Sequence, residues 1–201
     1  MIKRFFSVLL ILCGIAAIAG AIGLGIYNIL DDRRAGQDAS LAADALDDFR
    51  DTLPETDAIP DYLLDPNREM PTVEVNGHRY IGTLEIPAID LDLPIQSTWS
   101  YPQMKVSPCR YTGSVYLGSL VICGHNYVTH FGRLKNLQPG DEVIFTDADD
   151  NVFRYEAVEM ATLQPTAIEE MTTEGDWDLT LFTCTLGGKA RLTVRCISLD
   201  E

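Results

Sequence analysis

The sequence predicts a mainly β domain, a closed barrel or a sandwich with a few short helices, carried behind one N-terminal transmembrane helix. Three observations point there. Residues 5–30 contain no charged side chain. From Val73 onward, short runs rich in β-branched and aromatic residues alternate with turn-forming residues. Helical periodicity is scarce over the same region.

The N-terminal element comes first. Lys3 and Arg4 precede an apolar run from Phe5 to Leu30, which as a helix is roughly 39 Å long and can cross a bilayer core with some tilt. Ala17-Ile18-Ala19 offers a small-x-small cleavage site, but the run stays apolar from Gly20 to Leu30, so a retained anchor is expected over a cleaved signal peptide. The basic tip, set against the neutral "DDRR" beyond the run, predicts a cytoplasmic N-terminus and an extracellular remainder. Residues 1–34 are therefore read as cytoplasmic tip and signal-anchor.

Residues 35–72 are acidic and Ala-rich, then rich in Pro and Asp. Leu41, Ala45, Leu46 and Phe49 fit a short amphipathic helix over about 38–50. Pro54, Pro60, Pro66 and Pro71 then mark a linker or lid. Residues 73–201 form the β domain. Its expected strands are "RYIGTLEIP", "LDLPI" and "SLVICGH", a hairpin of "DEVIFT" and "VFRYEAVEMATL" about "DADDN", and a hairpin of "DLTLFTC" and "ARLTVRCISL" about Gly187-Gly188. "HFGRLKNL" and "TAIEEMTT" are the helical candidates.

Charge and cysteine usage narrow the function. The formal charge is −15; without Lys3, Arg4, Asp31, Asp32, Arg33 and Arg34 the exported part carries 28 acidic and 11 basic residues, or −17. Such a surface repels nucleic acid and anionic lipid. Cys13 lies in the apolar run, leaving Cys109, Cys123, Cys184 and Cys196 outside. Their density is too low for a disulfide-stapled domain, and no CxxC or Cys/His spacing suggests a structural zinc site.

Of three histidines, His125 ends a buried strand after Gly124, where a rim imidazole can serve as acid or base. On its own it reads rather as a hydrogen-bonded rim histidine. His78, beside Asn76-Gly77, reads as solvated surface, and His130 as a surface or cap residue. Strand parity makes Cys196 a core residue with Leu192 and Val194 and makes Cys123 packing one layer below His125; Cys109 sits in an irregular segment. Cys184 differs. It ends its strand between Thr183 and Thr185, just before a turn, and the next strand returns Arg191 and Arg195. A reacting thiolate needs a cationic partner, a proton donor for a leaving amine and a donor for an oxyanion. Cys184, His125 and Arg191 offer one group for each need.

These residues resemble a known family. "LTLFTCT" resembles the TLxTC signature of sortases, the cell-surface cysteine transpeptidases of Gram-positive bacteria; "VICGHN" and "ARLTVRC" resemble the family's His- and Arg-bearing strands, in the family's order, with about sixty residues between His125 and Cys184. The resemblance covers roughly residues 79–198. It implies an eight-stranded β-barrel with catalytic His125, Cys184 and Arg191, the last preferred to Arg195 because it starts its strand. It also implies cleavage of an LPxTG-like sorting motif through a Cys184 thioacyl intermediate and transfer to an amine of the cell wall. The partners implied are secreted proteins bearing a sorting signal, a cell-wall precursor amine and the membrane, with no nucleic acid. The absence of a membrane segment after "CISLDE" and of long helical insertions favours a class A- or D-like enzyme over pilin-polymerising or class B ones.

Other readings are weaker. A papain-like peptidase would place its cysteine before the histidine at a helix start. A non-catalytic surface module is the alternative from another class; an adhesin of that kind is expected to carry its own C-terminal sorting signal. "LPETD", Leu53–Asp57, matches LPxT within the linker; it is read as unrelated Pro-rich linker, with a pseudosubstrate lid over the groove as the alternative. "DADDN" begins like a calcium loop, but Val152 and Val158 stand where its Gly and bidentate Glu belong, so it reads as a turn. No cofactor is expected. Some sortases use acidic loops for calcium stimulation, and Glu169, Glu170, Glu174 and Asp176 form such a loop here without indicating the metal.

Overall fold

The computed structural model describes residues 2–54, 58–172 and 177–200. Its first element is one helix, α1, Ile2–Arg50. The separate short helix expected over 38–50 is its continuation. Residues 31–50 hold no proline and a single glycine among alanines and charged helix formers, so nothing stops the helix. Contacts divide the chain into a unit Met1–Arg34 and a unit Ala35–Glu201. In the first, Leu10, Ile11, Leu12, Ile15, Ile18 and Ile22 are each more than half exposed, an apolar surface that water does not tolerate. This helix is long and apolar enough to cross a membrane, with a mean hydropathy of 2.5 over an 18-residue stretch.

The second unit opens with the end of α1, the region in which a short helix was expected. Ala35, Ala39, Ala42 and Leu46 form a buried stripe, and Ala42 and Leu46 pack on Tyr80 beside Val73 and Val75. Arg50 then donates from Nε to the carbonyl of Asp147 at 3.1 Å and from Nη2 to that of Thr146 at 2.7 Å. The Pro-rich stretch that follows is a docked strap. In its short helix α2, Asp61–Leu64, Tyr62 stacks on Tyr116 with centroids 4.9 Å apart and tilts against Phe153 at 5.2 Å. Arg68 bridges Asp61 and Asp149 at 3.1 and 3.8 Å.

Nine strands follow: β1 Val73–Val75, β2 His78–Ile86, β3 Leu91–Gln96, β4 Cys109–Thr112, β5 Leu120–Gly124, β6 Glu142–Asp147, β7 Val152–Leu163, β8 Leu179–Cys184 and β9 Arg191–Ser198. In space they run β1-β2-β3-β4-β5-β8-β9-β7-β6, and β6 pairs back onto β2 from Gly82↔Asp147 to Glu85↔Ile144. The ring from β2 to β6 is thus a closed eight-stranded mixed barrel, with β1 added outside it. The expected strands are all present. β1 and β4 were not foreseen, because three and four residues show no readable alternation; their neighbours' backbone groups define them. The short helix α3, Tyr101–Met104, was not expected. Of the candidate helices, "HFGRLKNL" is a 3₁₀ turn, Phe131–Asn136, and "TAIEEMTT" contains a short α-helix, α4 Ile168–Thr172.

Alternate residues point inward. Leu84, Ile86, Leu93, Ile95, Leu120, Ile122, Phe145, Leu179, Leu181 and Val194 fill the barrel with Cys196. A second apolar cluster lies on the outer face of β4, β5 and β8: Met104, Cys109, Val121, Cys123, Met171 and Phe182.

"DADDN" is the expected β6–β7 turn, but its first residue is buried and structural. Asp147 Oδ1 accepts from the N–H groups of Asp149 and Asn151, each at 2.9 Å, and Oδ2 from Tyr116 Oη at 2.7 Å and Asn151 Nδ2 at 2.9 Å. Those donors stabilise a carboxylate that burial would otherwise penalise. β6 runs opposite to β8, so this hairpin and the docked Tyr62 lie at the barrel end where β8 begins, away from Cys184. Phe153 is ten residues before Leu163, the β7 residue beside Arg191, or about 33 Å of strand. Tyr62 and Arg68 are thus docked away from Cys184, whereas Glu69 lies 3.8 Å from Arg110 of β4, which pairs with Ile122 of β5. Glu55, Thr56 and Asp57 of "LPETD", like Glu174 and Asp176, lie outside the described residues.

Leu46 is fully buried and Leu41, on the same helix, is 59% exposed. Leu46→Ala is expected to lower stability by about 2–4 kcal/mol, and Leu41→Ala by no more than about 0.5 kcal/mol, in urea unfolding of the full chain in detergent. Equal effects would mean that this part of α1 does not pack on the barrel.

Candidate active site

β5 and β8 are parallel neighbours, in register from Leu120↔Leu179 to Gly124↔Thr183. Parallel strands end at the same edge, so the next residue of each, His125 and Cys184, stand side by side. β9 pairs antiparallel with β8 and begins where β8 ends, with Cys184 directly opposite Arg191. Adjacent strands lie about 4.8 Å apart, so the backbones at all three positions lie within about 10 Å along one rim. Directly paired residues put their side chains on the same face. Arg195 pairs instead with Thr180, four residues back and about 13 Å along the strand.

Local chemistry holds the rim in shape. Thr183 is buried, and its Oγ1 donates to the Gly124 carbonyl at 2.8 Å, tying the end of β8 to the residue before His125. Beyond Cys184, the Ala190 N–H donates to Thr185 Oγ1 at 3.1 Å and the Thr185 N–H to the Ala190 carbonyl at 3.0 Å, closing the turn that returns Arg191. The two threonines flanking Cys184 thus fasten its neighbours on either side. Gly124 is needed for close approach: a Cβ there would sit 2.9 Å from Phe131 Cδ2. Phe131 is itself fully buried, and its N–H donates to the His125 carbonyl at 3.1 Å.

Cys184 is half-buried, whereas Cys109, Cys123 and Cys196 are buried, and no cysteine is in a disulfide. Burial pushes the Cys109 and Cys196 thiols up to about 12 and raises that of Cys123 as well. Those three stay protonated at neutral pH and serve as packing. Cys109, uninterpretable in the sequence, opens β4 opposite Cys123. On β8, Cys184 shares its face with Phe182, so it faces the outer apolar cluster rather than the barrel interior.

His125 is half-buried, and its ring stacks on Tyr127 with centroids 4.9 Å apart and planes 30° from parallel. His130 departs from expectation. It does stand at the N-cap position of the 3₁₀ turn, but its side chain is fully buried, 5.4 Å from the Tyr127 ring. The short "HNYVTH" loop folds back on itself, which the sequence spacing does not reveal. His78 is half-buried at the start of β2, 6.5 Å from the Tyr80 ring, rather than fully solvated. Arg191 Nη1 donates to the carbonyls of Gly188 at 3.3 Å and Ala190 at 3.2 Å. Arg195 is engaged elsewhere, donating to the Glu170 carbonyl at 3.0 Å with its guanidinium 4.9 Å from the Trp177 ring centroid. Among the described residues, no group of three or more His, Cys, Asp or Glu is arranged to hold a metal ion.

A family model described as the sortase domain matches residues 84–198. The chain belongs to the sortase family. Solved sortase structures share its fold. A Clostridium perfringens Sortase D5 transpeptidase aligns with a TM-score of 0.61 at 19% identity, covering 81% of this chain and 99% of that one. Sortase C1 of Streptococcus agalactiae aligns at 0.56 and 22%, over 80% and 86%. A C. perfringens sortase C with the C-terminal cell wall sorting motif aligns at 0.54 and 22%, over 87% and 88%. No curated protein matches the chain. Tyr127, Thr183 and Thr185 are the site residues that the sequence reading did not assign; an aromatic two positions past His125 and a threonine on each side of Cys184 were the available signals.

Of the four cysteines in this sortase's β domain, Cys184 alone should react with iodoacetamide at pH 8 in the folded chain, and all four should react in urea. Mass mapping of the labelled peptides reads this, and equal labelling of Cys123 under native conditions would contradict the assigned burial.

Proposed function

We propose that this sortase is a membrane-anchored cysteine transpeptidase, held by the apolar part of α1 with its N-terminus in the cytoplasm and its barrel outside the cell. Cys184 is the nucleophile, His125 the acid–base group and Arg191 the oxyanion donor. The observation that carries the reading is the register that aligns β5, β8 and β9 at one edge and leaves Cys184 as the accessible thiol of the barrel.

The substrate is a secreted protein bearing a sorting peptide that resembles LPxTG. Cys184 Sγ, as thiolate, attacks the threonine carbonyl carbon, forming a C–S bond and placing negative charge on the carbonyl oxygen. Arg191 and a backbone N–H near Cys184 donate to that oxygen and stabilise its charge. His125 donates a proton to the departing glycine amine as the C–N bond breaks. An amine of a cell-wall precursor then attacks the thioacyl carbon, loses a proton to His125 and restores the thiolate. The sortase C solved with a sorting motif supports a peptide substrate of this class.

The full-length chain in detergent, given a panel of quenched LPxTG-type peptides and an amine acceptor, tests the reading. Cleavage and an amine adduct are expected, both lost in Cys184→Ala. Arg191→Ala should reduce kcat by about 10²–10³-fold, while Arg195→Ala should stay within about fivefold, as a group about 13 Å down the strand. Turnover persisting in Cys184→Ala would remove Cys184 from the mechanism.

A further inference from the structure

We infer that the barrel-packed part of α1 is a positioning element for His125, acting through a contact between Gly36 and Thr129 and through the ring of Tyr127. This rests on the catalytic reading of His125.

The loop after β5 is a small, tightly folded unit. The N–H groups of His130 and Gly132 both donate to the Tyr127 carbonyl, at 3.0 and 2.8 Å, and Phe131 N–H donates to that of His125. Its three rings lie in sequence, His125 against Tyr127 and Tyr127 against His130. Because His130 is fully buried, the inner end of this row is anchored in the domain. A displacement of the loop is therefore carried to the imidazole, because the parts of the loop move together.

The loop also meets α1. A Cβ at residue 36 would stand 2.8 Å from Thr129 Cγ2 and 3.0 Å from Thr129 Cβ, so only glycine lets the helix lie this close. Ala35 and Ala39, each 1% exposed, flank the contact. The helix is held in place further along by Leu46 on Tyr80 and by the Arg50 bonds to Asp147 and Thr146. Added bulk at residue 36 thus pushes on Thr129, two residues from Tyr127, rather than on an anchored helix. Gly36 and Tyr127 are positioning residues. They touch no reacting atom, but an imidazole that must reach a leaving amine beside Cys184 loses rate steeply with about 1 Å of misplacement.

Gly36→Val in the full-length chain in detergent should lower kcat at least about tenfold with KM within about threefold, keep the thermal midpoint near that of the parent, and shift the ¹⁵N resonances of the His125 imidazole. Adding Thr129→Ala should restore much of kcat and of the resonances, because it removes the methyl at 2.8 Å that the added side chain strikes first, leaving the Cβ at 3.0 Å. Tyr127→Phe, which keeps the ring, should retain the rate that Tyr127→Ala loses. An unchanged kcat in Gly36→Val, a loss that Thr129→Ala does not repair, or equal losses in the two Tyr127 variants would overturn the inference. Should the parent chain cleave none of the peptides, the proposed function fails and the resonances still decide. A His125 signal moved by Gly36→Val and returned by Thr129→Ala upholds the positioning role, and an unmoved signal ends it.

Discussion

The parallel pairing of β5 with β8 is the constraint on which the rest of this domain depends. Antiparallel neighbours end at opposite edges, and a histidine following one would lie far from a cysteine ending the other. Parallel neighbours finish together, so His125 and Cys184 share an edge. Such pairing demands a long return connection. Here that connection is the 3₁₀ turn, the whole β6–β7 hairpin and α4. The long sequence gap between the two residues is thus the chain needed to turn back and start β8 beside β5. The antiparallel step to β9 then costs only a tight turn, closed by Thr185 and Ala190, and delivers Arg191 opposite Cys184.

The barrel separates packing from chemistry by face. Leu179 and Leu181 point into the closed core, while Phe182 and Cys184 point outward, over a second apolar cluster that α3 and α4 help to cover. The same alternation explains why one thiol of four is available. Cys196 joins the interior, Cys109 and Cys123 are sealed within the outer cluster, and burial keeps all three protonated. Cys184, at the strand end, escapes that cover. The matched sortase domain spans from β2 to β9.

Much of the barrel was legible because its longer strands carry local signals. The alternation in "HRYIGTLEI" and "LTLFTC" and the Gly-Gly turn before "RLTVRC" each name a strand or hairpin without reference to anything distant. Residues whose roles are set by distant partners were not legible. Cys109 lies in a four-residue strand that exists because β5 pairs with it. Asp147 looked like an ordinary turn aspartate, yet Tyr116, 31 residues earlier, and Arg50, 97 residues earlier, draw it and its carbonyl into a buried network. His130 looked like a surface cap and is enclosed. The helix over 38–50 was legible, but its buried face was not: Ala35, Ala39 and Ala42 pack inward with Leu46, while Leu41 of the expected apolar face is exposed.

By itself the sequence determined a charge-free run long enough to span a membrane, the β character of the domain, and a histidine, a cysteine and an arginine in family order at the ends of three strands. These are properties of residue type and short-range period, which need no knowledge of what lies next to what. Only the tertiary structure decided which arginine stands across from Cys184, which cysteines are enclosed, where the Pro-rich strap docks and how closely α1 approaches the loop of His125. Each of those depends on register between segments far apart in the chain. Shifting a strand by one residue moves every side chain to the other face, so register is settled by the closed barrel as a whole and by no single stretch within it.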